Sequence, residues 1–233
     1  LKMCEKAMNF LKKYITDVLE ETHKINVSYD LWEMHEGVSL YSIASIFAAF
    51  TAMIKIYEAL KEEFTKNRVK QENVNKEKEL LREMNVKIKE YVLTNFYDEN
   101  KKSFGRNLED KNIDISILGA VTPFEMFTAK EKKITNTVER INMTLRTYTG
   151  GYKRFEDDHY NNGKPWVIAT LWMANYYLEI GETKKAKECF DYCLKTSSPH
   201  GFLAEQIDNK TMKSDWVIGL GWSHAMFIIV LKK

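Results

Sequence analysis

The chain reads as an all-α protein built of helical hairpins set side by side, with one row of helices facing inward and the other facing solvent. Three observations predict this. Segments apolar on one face alternate with segments apolar nearly all round, and strand-like alternation is almost absent. The loops also fall into two kinds, which would open on opposite ends of the array.

The elements follow in order. Residues 2–20 set Cys4, Ala7, Met8, Leu11, Tyr14, Ile15 and Val18 at three-and-four spacing, which predicts a helix buried on one side. Residues 38–60 carry Val38, Leu40, Ile43, Ile46, Phe47, Phe50, Met53 and Ile54 with almost no polar face, predicting a helix buried all round. The contrast recurs in 74–94 against 113–121, 130–146 against 166–180, and 183–195 against 216–231, giving eight helices, outer and inner in turn. The charged stretch 57–78 is expected to join an inner helix to the next outer one without chemistry, and a short strand pair is expected around 96–104.

With 233 residues, 44% of them hydrophobic, the chain can bury a substantial core, and we read 1–233 as a single domain. The net charge is +2 and the lysines are interspersed with glutamates, so no nucleic-acid partner is expected. The longest apolar run, Leu40 to Ile54, is broken by Ser42, Ser45 and Thr51 and stops at Lys55, short of the ~20 residues of a membrane span. No membrane helix is predicted. Cys4, Cys189 and Cys193 have neither metal spacing nor an even count, which points to free thiols in a reducing compartment and to a cytoplasmic location. The chain opens on Leu1 inside an amphipathic pattern and is read as part of a longer protein, so a signal peptide ahead of it stays open.

Four loops lead from an outer helix into an inner one: 28–37, 105–114, 150–165 and 197–215. They are rich in acids, aromatics and glycine, and would share one functional face. In the first, Glu33 follows Trp32, and a carboxyl against an indole is poorly solvated, which favours its neutral form and suits a general acid. The same loop also reads as an acidic helix start, with Glu33 and Glu36 at the positive end of a helix dipole. In the third, Arg154 offers a planar donor fork, Asp157 and Asp158 offer acceptors, and Trp166 a flat apolar face, a mixture suited to sugar hydroxyls and ring faces. An ordered loop in which Arg154 and Asp157 merely pair is the alternative. Glu205 lies in an apolar context beside Gln206, as a candidate partner of Glu33 or as a capping or salt-bridged glutamate. Trp222 and His224 read as core. The histidines at 23, 35, 159, 200 and 224 show no i,i+4 pair, and no Gly-rich phosphate loop or Gly-x-Ser-x-Gly elbow occurs, so no metal or organic cofactor is expected.

Asp30-Leu-Trp-Glu33, the segment from Gly151 ending in Gly163-Lys-Pro-Trp166, Ala204-Glu-Gln206 and Gly221-Trp-Ser-His-Ala225 resemble, in that order, glycoside hydrolase family 15, the glucoamylase family. The likeness runs over essentially the whole chain, including Asp114 to Phe124. It implies an (α/α)6 toroid of six helical hairpins, incomplete here with about eight of twelve helices, as the C-terminal two-thirds of a catalytic domain. It implies an inverting exo-hydrolase that removes glucose from the non-reducing ends of α-glucans or maltooligosaccharides, a role in polysaccharide degradation. A trehalase or other α-glucosidase on the same scaffold, or a non-catalytic carbohydrate-binding module, is the alternative. By motif, Glu33 matches the general acid and Glu205 the general base. Asp30, Trp32, Arg154 and Trp222 match positions that shape the sugar sites, and Asp157, Asp158 and Trp166 fall in the same loop motif. Met34 stands where a second glutamate often follows the acid. The Arg-x-x-Asp-Gly grip of the family's first hairpins is not found, so a missing N-terminal segment or self-association of the chain is expected.

Overall fold

The computed structural model describes residues 1–20, 27–65 and 68–233. His23 and residues 66 and 67 of the charged stretch lie outside them. Among the described residues the chain is all-α, with α1 (Lys2–Leu19), α2 (Leu40–Ala59), α3 (Lys61–Thr65), α4 (Arg68–Asn95), α5 (Lys132–Thr144), α6 (Val167–Ile180), α7 (Thr183–Lys195) and α8 (Gly221–Leu231). Three antiparallel ribbons interrupt them: β1 (Ser28–Tyr29) with β2 (Glu36–Gly37), β3 (Tyr97–Asp98) with β4 (Ser103–Phe104), and β5 (Ala204–Ile207) with β6 (Ser214–Ile218).

The predicted layering holds. α2, a 3-10 turn at Ile115–Ala120, α6 and α8 touch in that sequence as an inner row, while α1 and α4 lie against α2, and α7 against α6. α6 sits between two inner neighbours, and its residues from Val167 to Tyr177 are all buried. It ends where Gly181 takes φ +84° and caps the last turn. α2 and α8 have one inner neighbour each, and the expectation that they are buried all round fails. Ile228, Ile229 and Leu231 of α8 are exposed, and α2 buries Leu40, Ile43, Ala44, Ile46, Phe50, Met53 and Tyr57 while Ala52 and Ile56 face out. α2 runs 20 residues with mean hydropathy 1.5, enough by length and composition to cross a membrane, yet it packs on α1, α4 and the 3-10 turn.

Four other boundaries differ from the sequence reading. Residues 113–121 form a six-residue 3-10 turn capped by Asp114, since a side chain that accepts from the Ser116 N–H competes with α-helical pairing. The described residues of the stretch 57–78 are largely helix, Lys61–Thr65 in α3 and from Arg68 onward in α4, because lysine, glutamate and arginine are strong helix formers as well as solvated residues. The last helix starts at Gly221 instead of Trp216, since Ser214–Ile218 pairs with β5. The ribbons at 28–37 and 204–218 join the expected one at 97–104.

The turn into α6 is set by backbone space. Gly163 takes φ +62°, and a Cβ there would fall on the carbonyl oxygen of Asp158. Gly163→Ala should therefore cost about 2–4 kcal/mol, adding left-handed strain to a backbone clash. Urea unfolding checks this as a lower midpoint at unchanged m.

Candidate active site

The loop between β1 and β2 is folded around Asp30. Its Oδ1 accepts from the backbone N–H of Trp32 and of Met34, both at 3.0 Å, and its Oδ2 lies 2.9 Å from His35 Nδ1. Backbone bonds from Glu33 to Asp30 and from Asp30 to His35 close the turn. An aspartate that caps its own loop in this way tolerates a tight reversal, and the reversal places Glu33 at φ +56° with an exposed side chain. Left-handed backbone in a non-glycine residue is strained and clusters at functional sites.

Trp32, by contrast, is buried. Its indole Nε1–H donates to both oxygens of Asp114 at 3.1 Å, and its ring lies 5.8 Å from Trp166, 6.0 Å from Trp172 and 6.0 Å from Trp222. Trp166 and Trp222 are 6.3 Å apart. These tilted and edge-on contacts are the favoured aromatic geometry. Trp32, Trp166 and Trp222 come from the entries to α2, α6 and α8, so the inner row brings them together at one end, as the sorting of the loops predicts.

Arg154 fills the space beside the indoles. It pairs in two-point fashion with Asp158 at 2.8 and 2.8 Å, with both side chains nearly inaccessible, and its guanidinium lies over Trp166 at 4.3 Å, Phe155 at 4.9 Å, Tyr160 at 5.1 Å and Trp32 at 5.6 Å. Nε and Nη2 are committed to Asp158, leaving Nη1 outside that pair. Asp157 turns away. It binds Arg106 at 2.6 and 3.0 Å, and that contact holds its carboxyl below the ordinary aspartate range. The Arg154–Asp157 pairing weighed from sequence is thus replaced by two separate ion pairs.

Glu205 lies on β5 and is 8% exposed. The strand is tied to the loop before α6 through a Trp166–Gln206 bridge and an Ile207 N–H bond to Pro165 at 3.0 Å, and to α8 through Ser223 Oγ, which donates to the Ala204 carbonyl at 3.0 Å. Opposite Glu205 the ladder slips, so that one residue of β5 faces Trp216 and Val217 of β6, and Trp216 takes φ +61°. Such a bulge re-aims a side chain. Burial pushes the Glu205 carboxyl above its ordinary value, and the Arg154 charge pulls it back part of the way. His224, read as core, is partly buried and its Nε2 accepts from the Leu203 N–H at 3.2 Å, so it braces the strand behind Glu205.

Sequence reasoning missed Asp114, Arg106 and Trp172. Asp114 had a local signal, an acid opening an apolar run with Ser116 two residues on, which is a cap pattern. Its bond to Trp32, 82 residues away, had none. Asp114 is 1% exposed, and burial pushes it up to about 6, against donation from Ser116 and Trp32. The ordinary aspartate value is about 3.9. The folded chain therefore holds this proton more tightly than the unfolded one, and the stability it contributes is full below about pH 4 and lost as pH rises through 6, by up to about 3 kcal/mol. Asp114→Asn cannot ionise, so the melting-temperature advantage of the natural chain over it should narrow between pH 4 and pH 7. An advantage that widens instead would contradict this account.

A family model described as glycosyl hydrolases family 15 matches residues 2–194. An uncharacterized glycosyl hydrolase of Methanocaldococcus jannaschii is 29% identical over 240 residues, which cover 97% of this chain and 36% of that protein. Trehalase 1 of Sulfolobus acidocaldarius is 29% identical over 158 residues, 64% of this chain and 27% of the trehalase. The structure of a bacterial glucoamylase complexed with acarbose shares the fold, with a TM-score of 0.71 over 97% of this chain and 38% of that one at 19% identity. The chain spans about a third of the length of these curated relatives. Matched by the family model over most of its length, and all-α with the helical layering of a glucoamylase, the chain belongs to glycoside hydrolase family 15.

Proposed function

We propose that this chain carries the carboxylate pair of an inverting α-glucosidase that releases glucose from the non-reducing ends of oligo- and polysaccharides. The observation that carries the reading is the setting of Glu33 and Glu205 on the same end of the inner row, beside a platform of buried Trp32 and Trp166 and the more exposed Trp222. Indole faces suit sugar rings and Arg154 Nη1 suits a hydroxyl.

In this reading Glu33 protonates the glycosidic oxygen while Glu205, as a carboxylate, takes a proton from the water that attacks the opposite face of the ring. Room for that water requires a carboxyl separation of about 6.5–9.5 Å. Burial raises the Glu205 carboxyl above its ordinary value, which makes its carboxylate a better base, and the Arg154 charge opposes that rise. Trp32, Arg154, Asp158, Trp166 and Trp222 shape the sugar pocket, while Asp30 and Asp157 act through the loops they brace.

Trehalose is a second substrate reading, favoured by the archaeal proteins named trehalases that align with 53–64% of this chain. Turnover belongs to the polypeptide that carries these residues, and in it a panel of maltose, maltooligosaccharides and trehalose assigns the substrate by kcat/KM.

Glu205→Gln and Glu33→Gln should each lower kcat on the assigned substrate by roughly 10²–10⁴-fold with little change in melting temperature, and parallel losses of stability would mark them as structural. The first-formed product should be β-glucose, because water enters opposite the departing α-linked oxygen. Early α-glucose by NMR would exclude inversion. Activity should fall on the acid side at a pH above that of an ordinary glutamate, as Glu205 takes up a proton.

A further inference from the structure

The mount of the Glu33 loop asks for an explanation that packing does not give. Asp114 is buried, and the strongest charge acting on it is repulsion from Asp30. A buried carboxylate with no cation to offset it is costly, and an apolar side chain of like volume would fill the space at lower cost. What the carboxylate does is grip. Both oxygens accept from Trp32 Nε1 at 3.1 Å, and Oδ1 also accepts from Ser116 N at 2.7 Å.

The backbone behind that carboxylate is fixed from two sides. Asp114 caps the 3-10 turn, it bridges to Phe155, and the Ile115 N–H donates to the Arg154 carbonyl at 2.8 Å. Its carboxylate therefore stands on the loop that holds the arginine and on the row that holds α2 and α6. The loop it grips is otherwise held largely by itself. Asp30 bonds to Trp32, Met34 and His35 of the same loop, and His35 reaches out through an edge contact to Phe155 at 4.9 Å. Among the described residues, the Trp32–Asp114 bond is the side-chain hydrogen bond that fastens the tip of this loop to the body. Glu33 is the next residue, held left-handed and exposed.

We propose that Asp114 is a positioning residue for the acid, acting through the Trp32 indole to fix where the Glu33 carboxyl meets the leaving oxygen. The proposal rests on the reading of Glu33 as general acid. A carboxyl misplaced by about 1 Å costs on the order of 10²-fold in rate, and the loss should fall on the step that needs its proton.

The experiment compares two substrates in the full-length protein. One is the disaccharide assigned above, whose departing sugar oxygen must be protonated. The other is α-glucosyl fluoride, whose fluoride leaves with little help from an acid. Asp114→Leu, which fills the space without an acceptor, should lower kcat on the disaccharide by about 10- to 100-fold with KM changed less than about 3-fold, and should alter turnover of the fluoride by less than about 3-fold. Trp32→Phe removes the same hydrogen bond from the other side; because Trp32 also shapes the sugar pocket, its fluoride turnover falls too, and the expected result is a disaccharide loss at least about 10-fold larger than the fluoride loss. The double variant should lose no more than the worse single, since one link is broken either way.

Equal losses on both substrates in both variants would make Asp114 a structural residue, and unchanged disaccharide turnover would remove the link altogether. Should Asp114→Leu fail to fold, the ratio of the two losses in Trp32→Phe decides. Glu33→Gln separates this from failure of the underlying reading. If that variant loses as much on the fluoride as on the disaccharide, Glu33 is not the acid and the proposal falls with it. If Glu33→Gln spares the fluoride while Asp114→Leu loses as much on the fluoride as on the disaccharide, only the positioning role is overturned.

Discussion

The loops at the entry to the inner helices are held together by a guanidinium that water scarcely reaches. Taking Arg154 and Asp158 out of water costs several kcal/mol for each ion. The two-point bond at 2.8 and 2.8 Å and the four aromatic faces around the cation offset that cost. A buried pair of this kind adds little net stability over a hydrophobic plug; its effect is to fix one arrangement of the groups around it. Here those groups are Trp32 from the first site loop, Tyr160 and Trp166 from the third and, through the Trp166–Gln206 bridge, the strand that carries Glu205. The charge that organises the aromatic platform is also the one that opposes the rise of Glu205. The geometry of the site and the protonation of one of its carboxyls therefore depend on the same residue.

Lys102, Glu125 and Met212 take left-handed backbone, and two further residues of this kind bear on the site glutamates. Glu33 takes φ +56°, and Trp216, opposite Glu205 in the slipped ladder, takes φ +61°. Left-handed backbone costs roughly 1–2 kcal/mol for such side chains, whereas Asn161 and Asn162, at φ +46° and +64°, are residues that tolerate it better. Each strained position has its own brace. The three Asp30 contacts close the turn around Glu33, and Lys164 and Asn161 both bind Asp215, the residue before Trp216. The chain spends stability at these two places and regains part of it from the hydrogen bonds and ion pairs of Asp30 and Asp215.

The rows of helices were legible because burial on all sides leaves a mark in composition. α7 falls residue for residue where its apolar face predicts, and α6 begins one residue late. The misread segments are those whose composition suits two states. Trp216, Val217 and Ile218 continue the apolar pattern of α8, and only pairing with β5 decides that they are strand. Lysine and glutamate between 57 and 78 serve a solvated loop and a helix surface equally well. The site shows the same division. Glu33, Trp32, Arg154, Trp166, Glu205 and Trp222 were visible as residue types in loops of one class. Which acid Arg154 would choose was not, because Asp157 and Asp158 lie three and four residues on and both are within reach. Arg106 with Asp157 and Trp32 with Asp114 join segments 51 and 82 residues apart, and no local pattern encodes them.

The two glutamates sit in opposite surroundings, and the inverting reaction proposed above asks for that asymmetry. A base must hold one water against one face of the sugar, which calls for a rigid mount. Glu205 has one in a strand tied to the loop before α6 and to the first turn of α8. An acid must meet an oxygen whose other substituent departs, which calls for a position at the rim. Glu33 is there, exposed at the tip of a six-residue loop. The tryptophans reconcile the two demands. Packed helix axes run about 8–10 Å apart, yet the indoles at the entries to α2, α6 and α8 lie 5.8–6.3 Å from one another because each leans from its own element toward a shared centre. Trp32 stands in that cluster with Glu33 attached to it, and Trp166 stands there with its backbone bridged to the residue after Glu205. In the proposed reading, the mounts of the exposed acid and the buried base are thereby linked by contacts among rings, which are close-packed and stiff.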